Sequence, residues 1–269
     1  MYTAEGIRKA DVLIGGARIV RMAADILPEE DMEVIDARGL TLLPGLTDMH
    51  VHFREPGFEY KETIAGGAEA ARAGGFTTVC TMPNLKPAPD TPEHLRPQLD
   101  AIRAQHLVQI LPYATITRQR IGEETLADYA ALAQEVAGFS DDGSGVQSED
   151  VMRAAMKRIA ATGKILAAHC EVNELLRGGY IHDGAYARFN NHRGICSESD
   201  WREVERDINL ARETGVRLHI CHISTAESVE LVRRAKREGL LVTCETAPHY
   251  LWFTDEDLAN EGRWKMNPP

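Results

Sequence analysis

The sequence lacks the features that would place the protein in a membrane or outside the cell. No apolar run approaches the roughly 20 residues that a membrane-spanning helix needs. The first residues show no charged segment followed by an apolar one, so no secretory signal is predicted. The five cysteines form no C-x-x-C pair, and four of them lie in or beside apolar, strand-like segments. We therefore expect buried, reduced thiols and a cytoplasmic protein.

Basic residues are also scarce. Lysine and arginine number 30 against 41 aspartates and glutamates, which gives a net charge of −11. Neither nucleic acid nor an anionic membrane attracts such a surface, although an anionic substrate remains compatible with a local positive site. The 269 residues are 43% hydrophobic and 26% charged, as expected for a globular protein with a substantial core.

From residue 42 onward, short apolar strands alternate with helical patterns. The predicted strands are 42–49, 77–82, 108–113, 137–140, 164–169, 216–222 and 240–245. The predicted helices are 62–73, 91–105, 125–135, 148–162, 199–213 and 226–238. Such alternation is typical of a parallel sheet, and seven units predict an α/β fold of the (β/α)8 TIM-barrel type, truncated before strand eight, over residues 44–269. A doubly wound sheet is the alternative, although no G-x-G-x-x-G follows the first strand.

Two further segments complete this division of the chain. Residues 1–43 read as short strands at 11–14, 17–20 and 32–36, with a hairpin at Gly15-Gly16. This segment is too short to be a domain alone. The stretch 172–199 is long enough to be a mobile loop.

The segment from Asp48 to Arg54 carries the strongest chemical signal. Side chains on a strand alternate between its two faces, so His50 and His52 point the same way and can reach one metal ion. Zinc favours such a nitrogen pair. Arg54 shares this parity if the strand continues, which puts a fixed cation beside the metal. Two histidines on a surface strand by chance is the alternative.

Other polar residues fall at the carboxyl ends of the predicted strands, the rim that carries the chemistry in barrels of this type. They are Asn84, Asp141, Asp142, His169 and His222. The pair Asp141-Asp142 precedes Gly143, so it is either a turn or the source of a carboxylate that bridges two metal ions. Glu171 and Asp48 are either acceptors for ligand imidazoles or a helix-start and a turn residue. His219 and His249 lie close to such positions, and we assign them no metal.

These residues stand in motifs that resemble a known family. The motifs are 44–57 (PGLTDMHVHFREPG), 81–84 (TMPN), 139–143 (FSDDG), 168–171 (AHCE), 221–225 (CHIST) and 265–269 (KMNPP). Their order and spacing resemble the amidohydrolase superfamily and, within it, the bacterial type I dihydroorotases. The resemblance covers residues 44–269 and implies that residues 1–43 begin a small β-sandwich beside the barrel.

The resemblance also implies a set of roles. His50 and His52 would bind one zinc ion, His169 and His222 a second, and Asp142 would bridge the two. His52, Arg54, Asn84 and Asn267 would bind the substrate. The implied reaction is the reversible cyclisation of N-carbamoyl-L-aspartate to L-dihydroorotate in pyrimidine biosynthesis, with zinc activating a water molecule.

One departure from the family qualifies this expectation. The family's proton shuttle is an aspartate on an eighth strand, which would follow Pro269, so no catalytic acid is assigned in this chain. We expect the sequence to be a piece of a longer enzyme, or a poorly stable and nearly inactive chain if it ends there. The alternatives are another cyclic amidohydrolase, of the hydantoinase, dihydropyrimidinase or allantoinase kind, and a non-catalytic subunit. A homodimer or a complex with aspartate transcarbamoylase is the expected assembly.

Overall fold

The computed structural model describes residues 2–3, 6–123 and 125–269. The chain divides into two compact units, Met1–Leu46 and Thr47–Pro269. Among the described residues, no helix combines the length and the apolar character needed to cross a bilayer.

The first unit contains two antiparallel strand pairs. Its strands are β1 (Tyr2–Thr3), β2 (Gly6–Ile7), β3 (Asp11–Gly15) and β4 (Arg18–Ala23). Strand β1 pairs with β2, and β3 pairs with β4, so the hairpin predicted at Gly15-Gly16 is confirmed. The strand predicted over 32–36 is wrong: no neighbouring strand takes up its backbone groups within the described part of this unit. The β-sandwich remains a prediction.

The second unit is built on a seven-stranded sheet. Its strands are β5 (Leu46–Val51), β6 (Phe76–Thr81), β7 (Gln109–Ala114), β8 (Gly138–Ser140), β9 (Ile165–Ala168), β12 (Arg217–Ile220) and β13 (Val242–Cys244). The strands follow one another in chain order across the sheet, with β5 at one edge and β13 at the other. All pairings from β6 to β13 are parallel. All seven predicted strands are therefore confirmed, with ends that shift by up to four residues.

Helices follow most of these strands. They are α1 (Ile64–Ala73), α2 (Pro92–Ala104), α3 (Tyr129–Leu132), α4 (Glu149–Ala160), α5 (Asn173–Leu176), α6 (Ala185–Phe189), α7 (Glu198–Thr214), α8 (Ala226–Arg237) and α9 (Pro248–Trp252). Helix α2 begins as predicted, because the Thr91 side chain accepts a hydrogen bond from the backbone N–H of His94 and Pro92 occupies the first turn.

The helix predicted over 125–135 is much shorter than expected. Residues before Asp128 pair instead with the chain after β7: Arg118 N donates to Thr125 O, and Ala127 N donates to Ile116 O. Asp128 then caps the four-residue helix α3. Backbone groups that are already paired in this way are not available to start a helix earlier.

The predicted loop over 172–199 also contains more regular structure than expected. Two short parallel strands, β10 (Ile181–His182) and β11 (Gly194–Ile195), pair with each other. In chain order, β10 lies between the short helices α5 and α6, and β11 lies between α6 and α7. This segment is therefore an insertion with its own helices and strands between β9 and α7.

Residues alternate between two buried layers along the strands of the sheet. Leu166 and Leu218 pack outward among the side chains of α4, α7 and α8. Cys80, Tyr113 and Ala167 belong to one buried cluster on the inner face, although they come from three different strands. Side chains of separate strands meet in this way when a sheet curls on itself, as in a barrel.

Candidate metal centre

Two imidazoles lie together at the end of β5. The alternation along the strand puts His50 and His52 on one face, as predicted, and their Nε2 atoms are 3.2 Å apart. The carboxylate of Asp48 accepts a hydrogen bond from the backbone N–H of His50 at 2.9 Å. Asp48 thus supports the backbone of the pair.

A second pair of imidazoles comes from β9 and β12. The Nδ1 atom of His169 and the Nε2 atom of His222 are 2.9 Å apart. His222 has a φ angle of +37°, a strained conformation that often marks a functional site. The neighbouring Glu171 carboxylate lies 3.2 Å from His169 Nε2, so Glu171 takes the acceptor role that the sequence left open.

The carboxylate of Asp142 lies between the two pairs. Its Oδ1 atom is 3.6 Å from His50 Nε2, 3.5 Å from His169 Nδ1 and 3.4 Å from His222 Nε2. Its Oδ2 atom is 3.5 Å from His52 Nε2. Burial alone would raise the pKa of Asp142, but hydrogen bonds from His169 and His222 hold it well below its usual range. Asp142 is therefore an anion surrounded by imidazole nitrogens.

These donor atoms fit a divalent metal ion. Two ligands of one tetrahedral zinc ion, each about 2.0–2.1 Å from it, lie about 3.3 Å apart. The nitrogen–nitrogen and nitrogen–oxygen separations around Asp142 fall near that value, and Asp142 belongs to two separate three-residue donor groups, one with His50 and His52 and one with His169 and His222. The chemistry of the set, neutral nitrogens with one carboxylate oxygen, suits zinc.

The protonation of the two pairs is consistent with this fit. Burial lowers the pKa of His52 to about 4, which keeps its imidazole neutral and able to bind metal. Burial also disfavours a charge on His169, yet Asp142 and Glu171 raise the pKa of His169 to about 9. A histidine binds metal only through an unprotonated nitrogen, so His169 would release this proton when a metal ion takes its place beside Asp142.

Asp141, the other half of the aspartate pair, faces away from the histidines. Its carboxylate accepts hydrogen bonds from the backbone N–H groups of Ile116 (2.8 Å) and Thr117, and from the Thr117 hydroxyl. Asp141 thus fixes the chain after β7. Of the two aspartates, Asp141 therefore stabilises the turn, and Asp142 contacts the imidazoles.

The predicted substrate-binding residues divide into two groups. The Asn84 amide nitrogen donates to Asp142, and the half-buried Arg54 is close enough for the Asp142 charge to affect its pKa. Both lie beside the imidazoles. Asn267 is exposed, and within the described part of the chain no hydrogen bond links it to the others. Its neighbours do form hydrogen bonds: the Tyr250 hydroxyl donates to Pro268 O, and the Ser224 hydroxyl donates to Pro269 O.

Two residues of the site were missed by the sequence analysis. Glu245, which directly follows β13, contacts His50, His219 and the backbone of His222. Its position at a strand's carboxyl end is the signal that would have found it. Arg120 donates to the carbonyl oxygen of Asp142 at 2.6 Å and to the Ser144 hydroxyl at 2.5 Å. No motif or strand end marks it in the sequence.

Comparison with known proteins agrees with this geometry. A sequence model of the family described as dihydro-orotase-like matches residues 39–228. The chain belongs to the dihydro-orotase-like family. The family membership predicted from the motifs is thereby confirmed.

Curated relatives of this dihydro-orotase-like chain bear the name dihydroorotase. One from Anoxybacillus flavithermus is 46% identical over 263 residues, covering 97% of this chain and 61% of the relative. One from Enterococcus faecalis is 46% identical over 271 residues, covering 98% and 63%. The chain therefore spans about six-tenths of the length of the curated relatives it matches.

Solved structures identify the fold. An L-hydantoinase (dihydropyrimidinase) from Arthrobacter aurescens superimposes with a TM-score of 0.78 at 24% identity, over 95% of this chain and 58% of that one. A dihydropyrimidinase from Brevibacillus agri superimposes with a TM-score of 0.70 at 22% identity, over 91% and 55%. At such identities the likeness concerns the fold alone, and it confirms the α/β barrel type for the dihydro-orotase-like chain.

Proposed function

We propose that this chain carries the metal- and substrate-binding residues of a dihydroorotase, which interconverts N-carbamoyl-L-aspartate and L-dihydroorotate. The observation that carries the proposal is the meeting of four imidazoles from three strands around the single carboxylate of Asp142. The curated relatives, which are named dihydroorotase, support the choice of reaction.

The proposed cofactor is a pair of zinc ions. His50 and His52 would hold one ion, His169 and His222 the other, and Asp142 would contact both. Zinc bound there would lower the pKa of a water molecule and polarise a carbonyl group. A bridging anion suits this arrangement, because four neutral imidazoles leave two divalent cations uncompensated.

The polar groups beside the imidazoles suit a substrate with a free carboxylate. No hydrogen bond or ion pair from the described residues occupies the Arg54 guanidinium, which leaves its donors for an anion. His52 Nδ1 and Asn84 Oδ1 are buried without a partner among the described residues. If His52 Nε2 binds metal, its Nδ1–H is a donor, while Asn84 Oδ1 accepts from a substrate N–H. We assign all three residues to substrate binding, together with Asn267 from the family motif.

Ring opening of two cyclic amides tests this function. Zinc-loaded protein is expected to open L-dihydroorotate and not hydantoin, which has no carboxylate for Arg54. Arg54→Gln is expected to raise KM for dihydroorotate by tenfold or more, since a hydrogen bond to a charged group contributes about 1.5–3 kcal/mol. Arg118→Gln is the matched control, because Arg118 pairs with Asp90, which is not one of the proposed metal ligands.

Because the chain spans only about six-tenths of its curated relatives, the assay also needs a longer form of the protein. The same assay is run on this chain extended with the part of the Anoxybacillus flavithermus relative that it does not span. Turnover of dihydroorotate by either form supports the proposal. Absence of turnover from both forms, with zinc bound, overturns it.

We also propose a cytoplasmic location. Cys80, Cys170 and Cys221 are buried as free thiols, and all five cysteines are unpaired. Unpaired thiols of this kind are usual in reducing compartments.

A further inference from the structure

Glu245 contacts three histidines. Its Oε1 atom lies 2.5 Å from His50 Nδ1 and 3.3 Å from the backbone nitrogen of His222. Its Oε2 atom lies 3.2 Å from His219 Nε2. We propose that Glu245 is a positioning residue that selects the metal-binding form of His50 and ties β5 to the strand end that carries His222. The inference rests on the proposed metal centre and not on the identity of the substrate.

Two hydrogen bonds hold the backbone of Glu245 in place. Its N–H donates to Ile220 O at 3.0 Å, and its carbonyl oxygen accepts from Ile223 N–H at 2.9 Å. These bonds fix Glu245 to both sides of His222. The carboxylate is therefore presented to His50 from a rigid base, as second-layer groups must be if they are to orient a ligand.

The contact determines which nitrogen of His50 is free. A carboxylate accepts a hydrogen bond and has none to give, so the proton of a neutral His50 is held on Nδ1. The lone pair is then on Nε2, the atom that faces His52 and Asp142. In the opposite tautomer the proton would point at the metal position. Glu245 thus disfavours the neutral tautomer of His50 that cannot bind metal.

A direct hydrogen bond explains this contact better than a third metal ion does. His50, Cys221 and Glu245 do form a group of possible donors. However, the 2.5 Å between His50 Nδ1 and Glu245 Oε1 is much shorter than the separation of about 3.3 Å between two ligands of one tetrahedral zinc ion. The distance is that of a direct hydrogen bond from an imidazole N–H to a carboxylate.

The same relationship appears once in each imidazole pair. Glu245 supports His50, and Glu171 supports His169 through its Nε2 atom. Within the described residues, His52 has no carboxylate on its Nδ1 atom. Each proposed zinc ion would therefore have one ligand oriented by its own glutamate, and the two glutamates would act on different ions.

Zinc titration of the metal-free protein tests the assignment. Against a competing chelator, Glu245→Gln is expected to weaken the zinc ion at His50 and His52 by 10–100-fold. The ion at His169 and His222 is expected to weaken less, because Glu245 contacts only the backbone of His222 there. Glu171→Gln is expected to weaken this second ion instead. Glu238→Gln, which removes an exposed carboxylate paired with Arg212, is the matched control and is expected to change neither. Circular dichroism establishes that each variant folds.

Nitrogen-15 NMR of the histidines provides a readout that a structural role would not move. His50 is expected to carry its proton on Nδ1 in the parent protein and to populate both tautomers in Glu245→Gln. Equal zinc affinities and an unchanged tautomer in that variant would overturn the proposal. So would a third zinc equivalent that both Glu245→Gln and Cys221→Ser abolish, because the cluster would then bind metal itself.

Discussion

Asn84 and Asp142 follow different strands, yet the Asn84 amide nitrogen donates to both the carbonyl oxygen and the carboxylate of Asp142. The two distances are 2.7 Å to the carbonyl oxygen and 3.2 Å to Oδ2. The amide nitrogen of Asn84 is thus bonded to Asp142, while Oδ1 of the same side chain has no partner among the described residues. One amide thereby connects the proposed metal bridge to the proposed substrate.

We predict that Asn84→Ala weakens dihydroorotate binding by about two- to tenfold, because one neutral hydrogen bond contributes roughly 0.5–1.5 kcal/mol. Zinc affinity is expected to fall less, since four imidazoles remain. Isothermal titration of the zinc-loaded protein measures the first, and chelator competition measures the second. A larger effect on zinc than on dihydroorotate would assign Asn84 to the metal alone.

Arg120 holds the turn that carries Asp142, so we predict that Arg120→Gln impairs the metal centre. The lost bonds to Asp142 O and Ser144 Oγ involve a charged donor, worth about 1.5–3 kcal/mol. Zinc affinity is expected to fall by tenfold or more. Arg118→Gln in the same segment is the control, with no change expected in zinc affinity. Equal losses in both variants would indicate a general effect on the segment.

Gly143 allows the turn after Asp142, and we predict that Gly143→Ala destabilises the fold. Its φ angle is +76°, and an added Cβ would lie 2.9 Å from Asn84 Nδ2. Gly163→Ala is a matched control, because Gly163 has a φ angle of +70° with open space around it. The control is expected to cost about 1–2 kcal/mol from the backbone alone, and Gly143→Ala more. Urea unfolding measures both, and equal costs would exclude the contact with Asn84.

The buried carboxyl group of Glu203 is expected to make the stability of the fold depend on pH. Burial, reinforced by Asp207, raises its pKa from 4.5 to about 8, although Arg206 pairs with both carboxylates. Between these values the unfolded chain loses the proton first, so this group makes the folded protein less stable as the pH rises. Glu203→Gln is expected to gain stability relative to the parent by at most about 1.4 kcal/mol per pH unit from pH 4.5 to 8.

Thermal unfolding across that pH range checks this expectation. The exposed neighbour Glu205 on the same helix provides the control variant Glu205→Gln, which is expected to follow the parent at every pH. A stability difference between Glu203→Gln and the parent that stays constant with pH would contradict the prediction.

Much of the site could be predicted from two simple rules of strand geometry. The alternation along a strand placed His50 and His52 together, and parallel strands put His169 and His222 on the same rim. The residues alone did not decide between Asp141 and Asp142, because consecutive side chains in a turn have no fixed directions. Glu245 was missed because its contact with His50 depends on how far the sheet curls.

The failures in the fold have a similar cause. The segment 125–135 has a helical pattern, but the backbone pairing of Thr125 and Ala127 with the chain after β7 takes precedence. The segment 172–199 has no strong periodicity, yet pairing between β10 and β11 gives it structure. In both places, contacts between segments overrode the local preference.

The hydrogen bond between His50 and Glu245 joins residues 195 positions apart in the chain. Contacts of such high sequence separation form late, because the intervening chain must first be ordered. At a synthesis rate of about 5–20 residues per second, His50 would leave the ribosome roughly 10–40 s before Glu245. Asp142 would follow His50 after about half of that interval, but the orienting glutamate would still be missing until its end. Tight zinc binding at the first imidazole pair would therefore require the chain to have been synthesised and folded at least as far as Glu245.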